Sequence, residues 1–382
     1  MALFTATHGL AAGPGVDVVR TAMAEVDAHY LYADSPGWAR GRKALLAAPP
    51  DDDDRQHALL RSVFAELGDP DLHLLSGEEF AALQAETAGK QLGTGLIDFS
   101  IDRAPTGEAR VVTTLDDSPA RRAGVRPGDV LMSIDDVPTR GVDHETIVDR
   151  LRVSKAVTLS LRRGGRTLKL TIVPSQEPLR AVTYEVRGAP GATVGYIRVA
   201  QFTPDAAAQV REALAALHDR EAGGYILDLR DNPGGLLNVA VEIAGLFREG
   251  SLGAMVRRDG TIQIVHANAP PIIDAPLVVL INEAAASAAE FVAGELQGLP
   301  EVRLVGRPTR GRGQAQTYVA LDHGWGIVIP TARLRSRQGT DLKDHPLRPD
   351  ILVPDAPSGD AVYDRGLSVL LGLSKPPARL EN

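Results

Sequence analysis

The chain has 382 residues with 24% charged and 44% hydrophobic side chains, enough for a sizeable core and two or three domains. Its formal net charge of −8, without a local cluster of Lys and Arg, argues against nucleic acid as a partner. It contains no cysteine, which excludes disulfides, thiolate nucleophiles and zinc–thiolate sites. We expect no metal and no cofactor, because the nine histidines show no paired ligand spacing and no phosphate-binding or dinucleotide-binding glycine motif is present.

The first part of the chain is predicted to be helical. Residues 1–15 lack the basic start and apolar run of a secretory signal, and no run of about 18 apolar residues predicts a membrane span. Apolar residues then recur at helical spacing in two stretches within 16–88. We therefore predict an N-terminal helical region over 1–89. The compartment and the oligomeric state stay open, with a homo-oligomer allowed.

The pattern changes to short β-rich runs punctuated by Gly and Pro after residue 90. Five strands and one helix are predicted there: strands 95–101, 109–114, 129–134, 157–162 and 167–173, and helix 144–151. This composition predicts a compact domain over 90–176.

Strands and helices alternate in the second half of the chain. The predicted strands are 193–199, 224–229, 277–281 and 303–305, and the predicted helices are 205–218, 236–247 and 287–297. Such alternation is typical of βαβ units that feed a mostly parallel sheet with flanking helices. We predict an α/β core over 177–357 and a Pro-rich C-terminal tail over 358–382.

Two local motifs in the domain at 90–176 predict peptide binding. The first is Gly93-Thr94-Gly95-Leu96, a glycine-rich turn whose N–H groups could surround the carboxylate of a peptide C-terminus. The second runs over 118–131, where a short helix ends at Gly124 and a Pro-Gly turn leads into a buried strand. Together the motifs resemble a PDZ domain. A peptide would add as a strand beside 96–99 and face helix 144–151, and an apolar terminal side chain is favoured. The first motif alone could equally be a hairpin connection.

Three segments of the α/β core carry the candidate hydrolytic chemistry. Residues 225–237 form a buried strand that breaks into the turn Asn232-Pro233-Gly234-Gly235. Residues 276–294 form a core strand, an Ala-rich turn and a helix that Ser287 opens. Residues 304–316 supply a third glycine-rich segment. Backbone amides at such turns can stabilise an anion, and open α/β sheets bind ligands at the carboxyl ends of their strands.

These segments, with the PDZ-like domain inserted before them, resemble the S41 family of serine peptidases in its C-terminal processing (tail-specific) branch. The resemblance covers nearly the whole chain. It implies that Ser287 is the nucleophile, three residues before Glu290, and that the amides of Ala288 and Gly234 are the oxyanion donors. It also implies that Gln316 positions a lysine base and that some relatives are exported from the cytoplasm.

The chain departs from that family at the base itself, because Arg312 occupies the position of the lysine. A lysine amine can be desolvated until it accepts a proton, whereas a guanidinium stays protonated in proteins. Either another group serves Ser287, with Glu290, His73 or His345 as candidates, or the chain is a pseudoprotease that still binds peptide tails. Cleavage assisted by a partner is a third alternative. Ser287 could also be only a helix N-cap and Glu290 only a first-turn acid.

The predicted function is a serine endopeptidase that binds protein C-termini through the PDZ domain and cleaves through Ser287. The alternative is a catalytically impaired relative that binds or regulates through peptide tails. Protein or peptide substrates with apolar C-termini are the expected partners.

Overall fold

The computed structural model describes most of the chain. The described residues are 18–47, 52–69, 71–87, 96–101, 107–114, 118–142, 144–151, 155–175, 180–189, 192–267, 270–354 and 360–373. Among the helices in these ranges, none combines the length and the apolar character that crossing a bilayer requires.

The N-terminal region forms a layer of helices and one short strand. Its elements are α1 Val18–His29, α2 Pro36–Ala47, α3 Asp53–Leu67, β1 His73–Leu75 and α4 Gly77–Thr87. The Asp52 side chain caps α3 by accepting from the amide of Arg55 at 2.9 Å. Gly68, with a φ of 67°, ends the helix in the left-handed conformation. Within the described residues of 18–87 the helical prediction is correct apart from β1, which the periodicity did not indicate, and the part of the prediction over 1–17 lies outside the described residues.

Residues 96–172 form the inserted domain. Its elements are β2 Leu96–Ile101, β3 Ala109–Thr114, α5 Pro119–Arg122, β4 Val130–Ile134, β5 Val137–Pro138, α6 His144–Leu151, β6 Val157–Arg163 and β7 Arg166–Ile172. The strands form an antiparallel sheet in the order β2-β3-β4-β6-β7, with β5 beside β4. Ile147 and Leu151 of α6 are buried against this sheet. The strands and the helix lie within a residue or so of their predicted bounds.

The remaining residues form the α/β core. Its elements are β8 Val182–Ala189, β9 Ala192–Val199, α7 Ala206–His218, β10 Gly224–Asp228, α8 Leu237–Gly245, β11 Ser251–Arg257, β12 Ile262–His266, β13 Leu277–Ile281, α9 Ala288–Leu296, β14 Val302–Gly306, β15 Gln314–Ala320, the 3₁₀ turn Asp322–Gly324, β16 Gly326–Arg335, β17 Ile351–Leu352 and α10 Ala361–Leu373.

One sheet of this core is the predicted mostly parallel sheet. Its strand order is β17-β14-β13-β10-β9-β8, and all neighbours are parallel except β8 and β9. Helices α7, α8 and α9 belong to the large core cluster that includes Leu227 and Val279. Helix α10 contributes Leu370 to a second cluster with Ile226 and Val278. The predicted α/β fold with flanking helices is confirmed, and the segment predicted as a tail contains a packed helix.

A second, antiparallel sheet was not predicted. Its strand order is β1-β16-β11-β12, and β15 also pairs with β16. The helices α1 to α3 pack on Ile327 and Ile329 of β16, so the N-terminal region and the core share one cluster of buried side chains. This sheet brings residues from both ends of the chain to the candidate site.

Candidate active site

Ser287 lies in the turn between strand β13 and helix α9. It precedes the first helical residue and has a φ of 54° and a ψ of −119°. A positive φ is uncommon for a residue with a side chain and costs about 1–3 kcal/mol. Strained serines on strand-to-helix turns are typical of nucleophiles, because the turn exposes the hydroxyl at the top of the sheet. The backbone of Ser287 thus favours a nucleophile over a simple helix cap.

Hydrogen bonds from neighbouring turns hold this strained backbone in place. The Asn282 side-chain oxygen accepts from the amides of Asp231 at 2.9 Å and Ala285 at 3.2 Å. The Asn282 amide group donates to the Asp231 carboxylate at 2.7 Å. The Ala286 amide donates to the carbonyl of Asn232 at 2.9 Å. The turns after β10 and β13, which are parallel neighbours, are therefore joined to each other.

Gly234 lies directly against Ser287. Its φ is 112°, and a Cβ added to it would lie 2.9 Å from Cβ of Ser287 and 3.2 Å from the amide nitrogen of Ala288. Ala288 is the first residue of α9, where an amide has no acceptor within its own helix. The predicted trio of Ser287, Ala288 and Gly234 is thus brought together.

The amide of Gly234 is not presented as an oxyanion donor in this structure. It donates at 2.8 Å to the side-chain oxygen of Asn232. Asn232 is fully buried, and its side-chain nitrogen donates to the carbonyl of Val199. The turn must rotate this amide before it can bind an oxyanion. The other predicted donor, the amide of Ala288, lies at the start of helix α9.

Glu290 connects the helix to the segment that carries Arg312. The fully buried carboxylate accepts from the amides of Ser287 at 2.9 Å, Gly311 at 2.8 Å and Arg312 at 2.8 Å, and from the hydroxyl of Thr309. Burial raises the pKa of Glu290, although these hydrogen bonds oppose the increase. With four donors directed at it, Glu290 positions the backbone on both sides of the site, and a role as proton acceptor is not favoured.

Arg312 and Gln316 both bind Asp71. The Arg312 guanidinium contacts Oδ1 of Asp71 through Nη2 and through Nε at 3.1 Å, and Nε2 of Gln316 donates to the same oxygen at 2.9 Å. The Asp71 side chain is 2% exposed and the Arg312 side chain 26% exposed. The guanidinium is thus paired with a buried carboxylate, and its backbone amide is bound to Glu290.

The two histidines considered as bases lie in different settings. His73 is in strand β1, opposite Val328 of β16. His345 is exposed, and its Nδ1 lies 2.9 Å from the carbonyl oxygen of Lys343.

The peptide-binding residues of the inserted domain are described only in part. Gly93, Thr94 and Gly95 lie outside the described residues, and Leu96 begins strand β2. Strand β2 pairs with β3 on one side, and α6 packs beside β2. Among the described strands none pairs with the other edge of β2, so this edge has the geometry that strand addition requires.

Sequence reasoning missed Asp71, Thr309 and the joining role of Asn282. Asn282 directly follows strand β13, and a polar residue at the carboxyl end of a parallel strand is a signal that could have found it. Asp71 is separated from Arg312 by 241 positions, so no local pattern links the two.

Comparisons with known proteins identify the family and the inserted domain. Residues 193–353 match the model of peptidase family S41, and residues 111–163 match a PDZ domain. A carboxyl-terminal-processing protease of Synechocystis is 33% identical over 353 residues, which cover 88% of this chain and 81% of that protein. A carboxyl-terminal-processing protease of Picosynechococcus is 34% identical over 333 residues, with 85% and 79% covered.

A solved structure is also similar over nearly the whole chain. The photosystem II D1 C-terminal processing protease superposes with a TM-score of 0.73 at 28% identity, covering 92% of this chain and 96% of that one. A sheet with a strained serine at a helix start, joined to an inserted PDZ domain, defines a PDZ-containing serine-peptidase fold. The chain belongs to peptidase family S41, in the carboxyl-terminal-processing group.

Proposed function

We propose that this protein is a serine-type endopeptidase that captures a protein C-terminus on its PDZ domain and hydrolyses a peptide bond through Ser287. The observation that supports this most strongly is the backbone of Ser287, which is held at a φ of 54° against Gly234 and beside the amide of Ala288. A structural N-cap does not need this strain, and a nucleophile on a strand-to-helix turn commonly has it.

The chemistry that these groups support is acyl transfer. Oγ of Ser287 attacks the peptide carbonyl, its proton is lost, and the amide of Ala288 stabilises the oxyanion. The C–N bond then breaks, the leaving amine takes a proton from water, and a second water molecule hydrolyses the acyl-enzyme. Rotation of the Gly234 amide away from Asn232 on substrate binding would supply the second oxyanion donor.

The step at which this chain differs from its family is the removal of the serine proton. Arg312 stays protonated, and Glu290 is occupied by four donors, so neither accepts this proton. We infer that solvent base removes the proton. The reaction is therefore expected to be slow at neutral pH and to accelerate as hydroxide concentration rises.

Capture of a free C-terminus is supported by the open edge of β2 beside α6. A peptide that adds to this edge would form main-chain hydrogen bonds with β2, and its terminal carboxylate would lie at the glycine-rich turn that precedes the strand. An apolar terminal side chain is the ligand that we propose for this groove.

The test uses peptides that end in an apolar residue, with a free or an amidated C-terminus. The wild-type protein is expected to bind the free acid in the micromolar range and to cleave it slowly at pH 9, whereas Ser287→Ala binds equally and does not cleave. Equal binding of acid and amide would contradict capture of the carboxylate. Cleavage that survives in Ser287→Ala would contradict the assignment of the nucleophile.

A second candidate function is tail binding without turnover, and the pairing of Arg312 with Asp71 favours it. Arg312, at the position of the family's lysine, and Gln316, the residue that would position that lysine, both donate to the carboxylate of Asp71. Binding of the free acid without cleavage at any pH up to 10, by a folded wild-type protein, would favour this second function over the first.

A further inference from the structure

We propose that Asp71 is a positioning residue for the side chain at position 312. Its carboxylate keeps a cationic side chain at that position charged and directed towards Asp71. The inference rests on the proposed site at Ser287 and deepens it. It concerns a residue that lies outside the sequence motifs of the site.

One oxygen atom of Asp71 binds two side chains: the one at the position of the family's base, and the one that would position that base. Oδ1 of Asp71 accepts from Nε of Arg312 at 3.1 Å and from Nε2 of Gln316 at 2.9 Å. Gln316, which would otherwise position a base, is directed at an anion. The amide of Asp71 is itself fixed, because it donates to the Asp69 side chain at 3.0 Å.

The fold leaves Asp71, Arg312 and Gln316 little freedom to separate. Strand β1, which follows Asp71, and strand β15, which contains Gln316, both pair with β16. The amide of Arg312 is bound to Glu290, which also binds the amide of Ser287. A continuous set of contacts therefore runs from Ser287 through Glu290 and Arg312 to Asp71.

Other charged groups lie near the pair of Arg312 and Asp71. Lys343 lies opposite Arg312 in an isolated antiparallel bridge, and its Nζ is 3.5 Å from the exposed Asp344. Asp69 lies next to Asp71 and accepts from the hydroxyl of Tyr30 at 3.1 Å. Burial raises the pKa of Asp69, and the charge of Asp71 adds to this increase. Burial and the charge of Asp69 raise the pKa of Tyr32, and the charges of Arg333, Asp341 and Asp344 also act on this group.

A lysine at position 312 would therefore differ from a lysine in an apolar site. A carboxylate within about 4 Å favours the charged ammonium and raises the pKa of such an amine by about 1–3 units. Restoring lysine alone would give a paired ammonium that accepts no proton at neutral pH. Removing the Asp71 charge as well would take away the carboxylate that stabilises the ammonium, so the pKa of the amine would fall.

The experiment compares Arg312→Lys with the double variant Asp71→Asn/Arg312→Lys. The chain has only six lysines, so the Cε resonance of the new lysine can be identified in protein labelled with [13Cε]lysine. We expect its titration midpoint to be at least about one pH unit higher in the single variant. The control Asp344→Asn/Arg312→Lys removes an exposed charge near Lys343 and is expected to match the single variant. Equal midpoints with and without the Asp71 carboxylate would overturn the inference.

Labelling by a fluorophosphonate probe separates this inference from the proposed function. At pH 8 the double variant is expected to react at Ser287 at least about tenfold faster than Arg312→Lys, and Asp71→Asn alone is expected to gain nothing because arginine does not titrate. If the midpoints differ but neither lysine variant reacts, the role of Asp71 stands and the nucleophile assignment fails. If both react at the same rate and titrate together, Asp71 has no such role.

Discussion

At the level of single residues, the site combines retained and altered parts. Ser287 has the strained backbone of a nucleophile, and Gly234 lies in contact with it. Glu290 connects the serine turn to Arg312 through two amides that share one carboxylate. The alteration is confined to the cation, which is a guanidinium bound to Asp71.

Gly234→Ala tests whether the turn at 232–235 forms one wall of the site. The new Cβ would lie 2.9 Å from Cβ of Ser287, so we expect labelling of Ser287 to fall at least tenfold. The positive φ adds a backbone cost of about 1 kcal/mol or more. Mass spectrometry of the labelled protein and urea denaturation measure the two effects.

The matched control is Gly250→Ala. Gly250 also has a positive φ, 83°, but a Cβ there meets no atom within 4 Å. It should lose similar stability and keep full labelling. Equal loss of labelling in both variants would mean that the turn acts only through stability.

The residue-level predictions succeeded where a local pattern carried the information. The Ala-rich turn with Ser287, the Asn-Pro-Gly-Gly turn and the replacement of lysine by Arg312 are all visible in the sequence. The orientation of the Gly234 amide toward Asn232 is not, because it depends on one rotation of a peptide unit. Asp71 could not be found either, since its role depends on pairing between sequence-distant strands.

At the level of elements, helix α9 positions the serine and is buried along its whole length. Near its C-terminal end, Oε1 of Glu295 accepts from the amide of Arg337 at 3.0 Å, and it lies so close to Gly253 of β11 that a Cβ there would be 2.7 Å away. Burial raises the pKa of Glu295 to about 7. This carboxyl group joins helix α9 to the antiparallel sheet.

Glu295→Gln is expected to change how stability depends on pH. The folded-state pKa of about 7 lies above the ordinary value of 4.5, so ionisation of Glu295 opposes folding. The stability that the protonated side chain contributes is fully present below about pH 4.5, falls between pH 4.5 and 7, and is lost above pH 7. The total loss in the free energy of unfolding is about 3 kcal/mol at most. Urea denaturation at pH 5, 6, 7 and 8 should therefore show a shallower decline for Glu295→Gln than for the wild type.

The control for this prediction is Glu242→Gln on α8, because Glu242 is exposed. Its pH dependence should match that of the wild type. An unchanged slope in Glu295→Gln would show that Glu295 does not titrate between these pH values in the folded protein.

Helices and parallel strands were easier to predict than the antiparallel sheet. Helices α7, α8 and α9 begin and end within two residues of the predicted positions, because their apolar periodicity is strong. Strand β16 contains Pro330, and five consecutive residues at its start are buried, so it shows neither the alternation nor the composition of a strand with one exposed face. Strand β1 has three residues, too few for any periodicity. Helix α10 was missed because Pro376 and Pro377, which follow it in the sequence, suggested a tail that packs only partly.

At the level of the whole molecule, the chain combines a PDZ domain with an S41 fold. The PDZ domain presents an open strand edge, and the α/β core presents a strained serine. Family membership was predictable because its motifs are local and ordered along the chain. Whether the molecule turns over substrate depends on long-range contacts at position 312, which family membership does not determine.

The central claim is that Ser287 is a nucleophile that lacks a titratable base in the protein. The most direct test is the rate of fluorophosphonate labelling of the wild-type protein from pH 6 to 10, with the modified residue located by mass spectrometry. We expect modification at Ser287 alone, with a rate that rises about tenfold per pH unit between 7 and 9 and shows no plateau. A plateau near neutral pH would reveal a base in the protein and contradict the claim, and modification that persists in Ser287→Ala would contradict the site itself.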